Sequence, residues 1–418
     1  MPTNLTLNDY LVQSTSHREC GPQPRGAMGW MRWIPFCVAG LPGCDRPPPN
    51  HSIVIADSAG ATVVKVSQNV NGGRWTVNDS AIISIAPDKG GEASPLYFVT
   101  GAHRFEDGSV VVASSGTSEL RYFSAKGDLI KIVGRQGDGP EEFGSLGFVQ
   151  SVRDSLWVYD LTHSRFAVLD RDGRFGRLVP LRTWSGISTR AVGLFDDGSV
   201  LLRVREHTTR EPGLNTINEQ LSVGHVNGTS TMLQQVFFAH TYYHVVGKGL
   251  ADLGLPFGRI GSLAIRGQEW FYTDGAEYRV ERYDKAGVIR GVYAYVAEPP
   301  LVTQADFELF LRPMRRNQGQ PSVRERLLRK TPLPKQMPAY SALRVDRAGN
   351  LWARPYLGVV SRNCWHVYQA KPVMFAEACL PDRFEVFELG EDWVLGVERD
   401  SLDVESVVVY QLVKTSPR

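Results

Sequence analysis

Arginines and tyrosines are the residues of this sequence best suited to recognising a ligand. Arg104, Arg190, Arg259 and Arg344, with Tyr340 and Tyr356 and the carboxylates Glu142 and Asp274, form one candidate set. Guanidinium forks match carboxylates and similar anions, and tyrosine offers an apolar ring with a polar tip. The same residue types also make ion pairs and packing contacts, and for any single member that structural use is the plainer reading. His240 and His244 are the best-spaced pair for zinc. On a strand they share a face but stand about 13 Å apart, too far to share one ion. The segment is aromatic and strand-like, so ordinary loop histidines are expected there. Sharp catalytic signatures are missing: there is no Gly-x-Ser-x-Gly elbow, no Walker loop and no His-Glu-x-x-His helix.

What would gather such residues is a repeat. A turn followed by an apolar strand occurs at Glu106-Asp107-Gly108-Ser109 before Val110, Arg153-Asp154-Ser155 before Leu156, and Asp196-Asp197-Gly198-Ser199 before Val200. It returns at Arg266-Gly267-Gln268-Glu269 before Trp270, Ala348-Gly349-Asn350 before Leu351, and Gly390-Glu391-Asp392 before Trp393. Most spacings are about 43–46 residues and two are longer, about 70 and 82. A second turn recurs later in the repeat, as in Asp170-Arg171-Asp172-Gly173 and Asp284-Lys285-Ala286-Gly287. Such glycines suit the positive φ that tight hairpins need. Between the turns, 119–123 and 278–283 alternate apolar and polar residues. Each repeat therefore reads as four antiparallel strands, the signature of a β-propeller blade. One such sheet cannot bury both faces alone, whereas six arranged radially bury them against each other. The expected fold is all-β, a six-bladed β-propeller over residues 51–413 with a tail at 414–418.

The ring must close. The last repeat, 384–413, offers only three clear strands, while strand-like 53–56 and 61–66 are left over at the other end. That N-terminal segment is expected to complete the last blade and cover its open edge. Two insertions account for the long spacings. Residues 229–256 extend the third blade outward. Residues 298–338 are expected to form a short helical insertion between blades four and five, because 304–311 and 323–329 carry apolar residues at i, i+3 and i+4. Thr303 is placed to cap the first helix. The basic run at 315–316 and 324–330 reads as a solvated helix face.

The stretch Gly134-Arg135-Gln136-Gly137-Asp138-Gly139-Pro140-Glu141-Glu142-Phe143 resembles the inter-blade loop of NHL-repeat propellers. More broadly, Asp57-Ser58-Ala59-Gly60, Pro256-Phe257-Gly258-Arg259, Pro338-Ala339-Tyr340-Ser341, 346–352, 393–397 and 402–405 resemble an uncharacterised bacterial family of exported six-bladed propellers, often lipoproteins. The resemblance covers about residues 51–413 and implies the fold without an agreed activity. Gln369-Ala370-Lys371-Pro372 departs from it, standing where an Asp-Gly type turn is usual. Propellers bind ligands on one face, through loops entering the inner strand and loops between the second and third strands. On that basis Arg104, Glu142, Arg190, Arg259, Asp274, Tyr340, Arg344 and Tyr356 are expected at the funnel face. Propellers of the gluconolactonase type hold a divalent cation in the channel, and Glu142, Asp274 and Glu385 are the carboxylates that could approach the axis here. A cation needs several converging oxygens, and no spacing demonstrates that.

The first fifty residues differ in character. Residues 1–30 are polar and aperiodic, and Met31-Arg32-Trp33 then leads into an apolar run and Leu41-Pro42-Gly43-Cys44. This resembles a bacterial lipoprotein signal, with 41–44 as the lipobox and Cys44 the lipidated residue; the alternative is a disordered Pro/Gly-rich tail. Cys364 and Cys379 flank an apparent hairpin. If its turn centres between Lys371 and Pro372 they face each other, close enough for a disulfide, which an oxidising compartment permits. Two buried free thiols are the other reading. The net charge of +2 gives no signature of nucleic-acid binding, and no run of about 18 apolar residues suggests a membrane helix. The expected protein is an exported, periplasmic or lipid-anchored monomer without cofactor, binding a protein, peptide or glycan at the funnel. A metal-assisted hydrolase or lyase is the alternative.

Overall fold

The computed structural model describes residues 53–415, apart from 59, 69–71, 87–95, 182–188, 206–209, 226–227, 315–320, 359–361 and 371–372. The leader at 1–50, with Cys44 and its lipobox, and residues 416–418 of the tail lie outside the described residues. The strand-like segments form antiparallel meanders, which we number units 1 to 6 in chain order. Unit 1 runs through Val99–Arg104, Val110–Ser114, Glu119–Phe123 and Leu129–Val133. Unit 2 covers 146–180, unit 3 189–252, unit 4 262–296, unit 5 340–379 and unit 6 384–415. The turns after the first strands carry Gly108, Gly198 and Gly349 at φ of +86°, +83° and +85°, a conformation that a Cβ would strain.

Burial is organised between units. Leu120 and Val111 of unit 1 pack with Leu146 and Leu156 of unit 2. Phe166 of unit 2 meets Leu202 of unit 3, and Phe195 of unit 3 meets Trp270 of unit 4. Phe271 of unit 4 joins Leu343 of unit 5, and Trp352 of unit 5 joins Phe384 of unit 6. A further cluster returns to the start, combining Val407 and Val409 of unit 6 with Val99 and Val110 of unit 1. Each sheet thus covers its neighbour's apolar face, which none could do for itself. The arrangement is all-β and propeller-like.

The first strand of every unit is a sheet edge whose backbone groups need partners. Side chains from adjacent units supply several of them. Gln150 of unit 2 donates to the Leu194 carbonyl at 2.8 Å and accepts from its amide at 2.9 Å. Ser262 Oγ accepts from the Leu343 amide at 3.0 Å, and Glu388 accepts from the Arg104 amide at 3.0 Å.

The closing strand is not the expected one. Ile53–Ser58 and Ala61–Ser67 instead widen unit 4, with Ala61–Ser67 running parallel to Ile289–Val296. Val64 and Val66 are drawn there by the cluster around Tyr293 and Phe271. The strand that pairs with Glu405–Thr415 is Gly73–Ile85, which also touches the outer strand of unit 5. Its polar centre, Asn78-Asp79-Ser80, breaks the sequence alternation, and the pairing register shifts at the same place. Bulges of this kind tolerate such a segment within a strand.

Residues 298–338 hold helices α1, Gln304–Leu311, and α2, Val323–Leu328. Thr303 caps α1 and forms a capping box with Asp306. Phe307, Leu311 and Leu328 bury against Phe257 and Met337. Cys364 and Cys379 face each other in register and are joined by a disulfide, with Cα atoms 4.0 Å apart.

Candidate functional site

A cavity of about 700 Å³ is lined by residues from the first strand of every unit, among them Ala102, Val149, Val192, Ala264, Leu343 and Phe387. Charge concentrates at one end, where each first strand runs into its hairpin turn. Arg104, Glu106, Arg153, Asp154, Asp196, Arg266, Arg347 and Glu388 all contribute there.

The best-ordered group at this end is centred on Glu388. Its carboxylate accepts from the Arg104 amide at 3.0 Å and from Arg347 Nη2 at 2.7 Å, and it lies 3.0 Å from His103 Nδ1. Arg347 Nη2 also donates to the Arg104 carbonyl at 2.6 Å. Burial pushes the Glu388 carboxyl up, but His103, Arg347 and the Arg104 amide outweigh it and leave it at about 2. Arg104 and Arg347 lie over the Trp393 ring, at 5.0 and 4.8 Å from its centroid. Cation–π contact holds both guanidinium groups without neutralising them. Arg104 Nε is buried with no hydrogen-bond partner, and among the described residues Arg104 has no carboxylate partner.

Arg344 stands deeper, on the first strand of unit 5. It donates to the carbonyls of Leu343 at 2.9 Å and Val386 at 3.4 Å. No ion pair engages it among the described residues, and burial pulls its pKa down against the pull of Glu385. Among the described residues, then, the channel holds two arginines, Arg104 and Arg344, that make no direct ion pair. Glu388, by contrast, is fully committed to its neighbours.

The other expected funnel residues lie elsewhere. Tyr340 is fully buried, bonded to Tyr368 at 2.8 Å and 3.0 Å from His366 Nδ1, so no ligand reaches it. Burial depresses His366 to about 4, keeping this group neutral. Arg259 is spent on Asp274 at 2.9 Å and lies over Phe237. Tyr356 packs on Phe257 beside the helices. Arg190 is exposed on unit 3 and does not line the channel. Glu142 belongs to the 134–143 loop, accepting from Arg135 at 2.8 Å and the Gly139 amide at 3.0 Å. The carboxylates considered for a cation do not converge, because Glu142, Asp274 and Glu385 each end on a different arginine. His240 and His244 lie on the strand Ser230–Val246 and part company: His240 packs on Phe237, while His244 meets Thr331 at 2.7 Å.

His103, Arg347, Glu388 and Trp393 were not anticipated. Their signal was present, since charged residues flank the six recurrent turns. Of the expected residues, Arg104 lies at this end, whereas Glu142, Arg259, Asp274 and Tyr356 lie outside the cavity.

No family model and no curated protein matches the sequence. Solved structures do resemble the fold. A member of the DUF4221 family from Bacteroides vulgatus aligns with a TM-score of 0.51 at 12% identity, covering 83% of this chain and 99% of its own. An exported-protein candidate of Bacteroides fragilis aligns at 0.44 and 12% identity, covering 84% and 99%. A regucalcin from Agrobacterium tumefaciens aligns at 0.37 and 9% identity, covering 82% and 96%. At such identities the likeness speaks to fold alone. No helix among the described residues is long and apolar enough to cross a membrane.

Proposed function

We propose that this chain is a six-bladed β-propeller of the cell envelope that binds, without transforming, an acidic segment of a protein, peptide or glycan in its axial channel. One observation carries the reading: all six first strands line a single cavity in which Arg104 and Arg344 lack carboxylate partners. A guanidinium without an ion-pair partner in a concave site favours an anionic guest. The cavity is of a size that takes a sugar or a short peptide end. The six interlocking clusters support the blade count, and the 134–143 loop supports kinship with NHL-type propellers. Export is supported by the Cys364–Cys379 bridge, which persists in oxidising compartments. The segment before Cys44 supports lipid anchoring, and Cys44→Ala would then release the protein from the membrane fraction.

Calorimetric titration with paired ligands tests the binding reading: uronic-acid against neutral oligosaccharides, and peptides with free against amidated carboxyl ends. The acidic partner of a pair should bind at least about 10-fold more tightly, and Arg104→Met should remove the preference. Equal binding of both partners, or an unchanged preference in Arg104→Met, would refute it.

A further inference from the structure

A second cavity, of about 390 Å³, opens between units 5 and 6. It lies where the chain enters the first strand of unit 6, at Asp382, Arg383, Phe384 and Glu385. Across from these stand Arg344 and Arg354 of unit 5, with Trp365 also on the wall. Sheet geometry sets the two arginines side by side. Ala342 pairs with Arg354 and Arg344 with Trp352, so Arg344 and Arg354 share one face of the unit as diagonal neighbours.

We propose that this cavity is a second binding site, built for a compact oxyanion such as a sulfate, phosphate or carboxylate group. Three of the carboxylates nearby already hold arginines. Glu385 holds Arg399 at 3.0 Å, Glu405 holds it from the other side at 2.8 Å, and Asp403 holds Arg383 at 2.6 Å. Asp382 is exposed on the lining. Arg354 has no hydrogen bond or ion pair through its guanidinium among the described residues. Arg344 reaches only backbone carbonyls. Burial lowers the pKa of both groups, for Arg344 against the pull of Glu385 and for Arg354 with nothing opposing it. A ligand that brings negative charge between them would offset the burial cost of both guanidinium groups. A guanidinium pair on a rigid sheet also fixes the donor geometry in advance, and this lowers the ordering cost of binding. Arg344 borders both cavities, yet the site does not depend on the channel reading.

Selenate and sulfate are the probes. Crystals soaked in sodium selenate should give an anomalous peak within hydrogen-bond distance of Arg354, and Arg354→Met crystals should lose it. In solution, sodium sulfate should raise the melting temperature saturably, by roughly 2 °C or more over sodium chloride at equal ionic strength. Arg354→Met should lose that saturable rise and, without anion, should melt no lower than the wild type. Selenate that remains in Arg354→Met crystals, or a saturable sulfate response that survives in that variant, would overturn the proposal. A peak in the channel alone would also overturn it while leaving the channel reading intact.

Discussion

Glu388 shows how a single side chain ties the channel together. Its folded pKa of about 2 lies below the ordinary carboxylate value, so its stabilisation is present above the unfolded value. It is lost as pH falls from about 4.5 toward 2, and the loss amounts to about 3 kcal/mol. Glu388→Gln should therefore be less stable at neutral pH and should show a flatter acid limb in denaturant titrations between pH 5 and 2. An acid limb as steep as the wild type's would mean that other carboxylates set it. Sequence reading could name Arg104 and Arg344 because arginines in a propeller repeat are natural ligand residues. It could not find Glu388, because a carboxylate beside a turn looks solvated until unit 1 supplies His103 and unit 5 supplies Arg347. Tyr340 failed in the opposite way. A tyrosine near a loop looks available, yet three-dimensional packing buries it against Tyr368 and His366.

Elements are held by a few identifiable ties. The Cys364–Cys379 bridge closes a segment with a sequence separation of 15, for which chain entropy gives about 3 kcal/mol. Changing both cysteines to serine should lower the denaturant midpoint accordingly, and a shift near zero would show that the strand pairing alone fixes the hairpin. The 134–143 loop is pinned from unit 2. Arg165 donates to the carbonyls of Asp138, Gly139 and Glu142, and His163 bridges buried Asp160 and exposed Asp138. Those two carboxylates raise the His163 pKa, so its charged bridge to Asp138 is fully present at low pH and fades as pH rises through the raised value. Arg165→Ala should free the loop, speeding tryptic cleavage at Arg135 several-fold under native conditions. Cleavage at the wild-type rate would mean that the loop is held some other way. The hairpins themselves were legible, since Asp-Gly turns and alternating strands are local signals. The partner of an outer strand was not. The segments 61–67 and 73–85 are both strand-like in their own way, and only non-local packing decides that the first joins unit 4 and the second closes unit 6.

At the scale of the whole molecule, closure distributes stability around the ring. Ile83 and Ile85 lie in the cluster that joins unit 6 to unit 1, so the strand Gly73–Ile85 both covers an edge and completes an interface. Removing residues 53–85 should expose Val407, Val409 and Leu412 and abolish a single cooperative unfolding transition. A truncated protein that unfolds as sharply as the full chain would place closure elsewhere. The repeat made the architecture readable because six similar turns recur, most of them about 43–46 residues apart, with insertions accounting for the two longer gaps. The site was less readable because a channel belongs to no single repeat: each unit contributes one strand, and the charges converge only when the units do. The most direct test of the central claim is an electron-density map of the protein crystallised with an acidic ligand selected by calorimetry. The expected result is ligand density inside the cavity lined by the six first strands, its carboxylate within hydrogen-bond distance of Arg104. Ligand seated on the outer surface, away from Arg104, would contradict it.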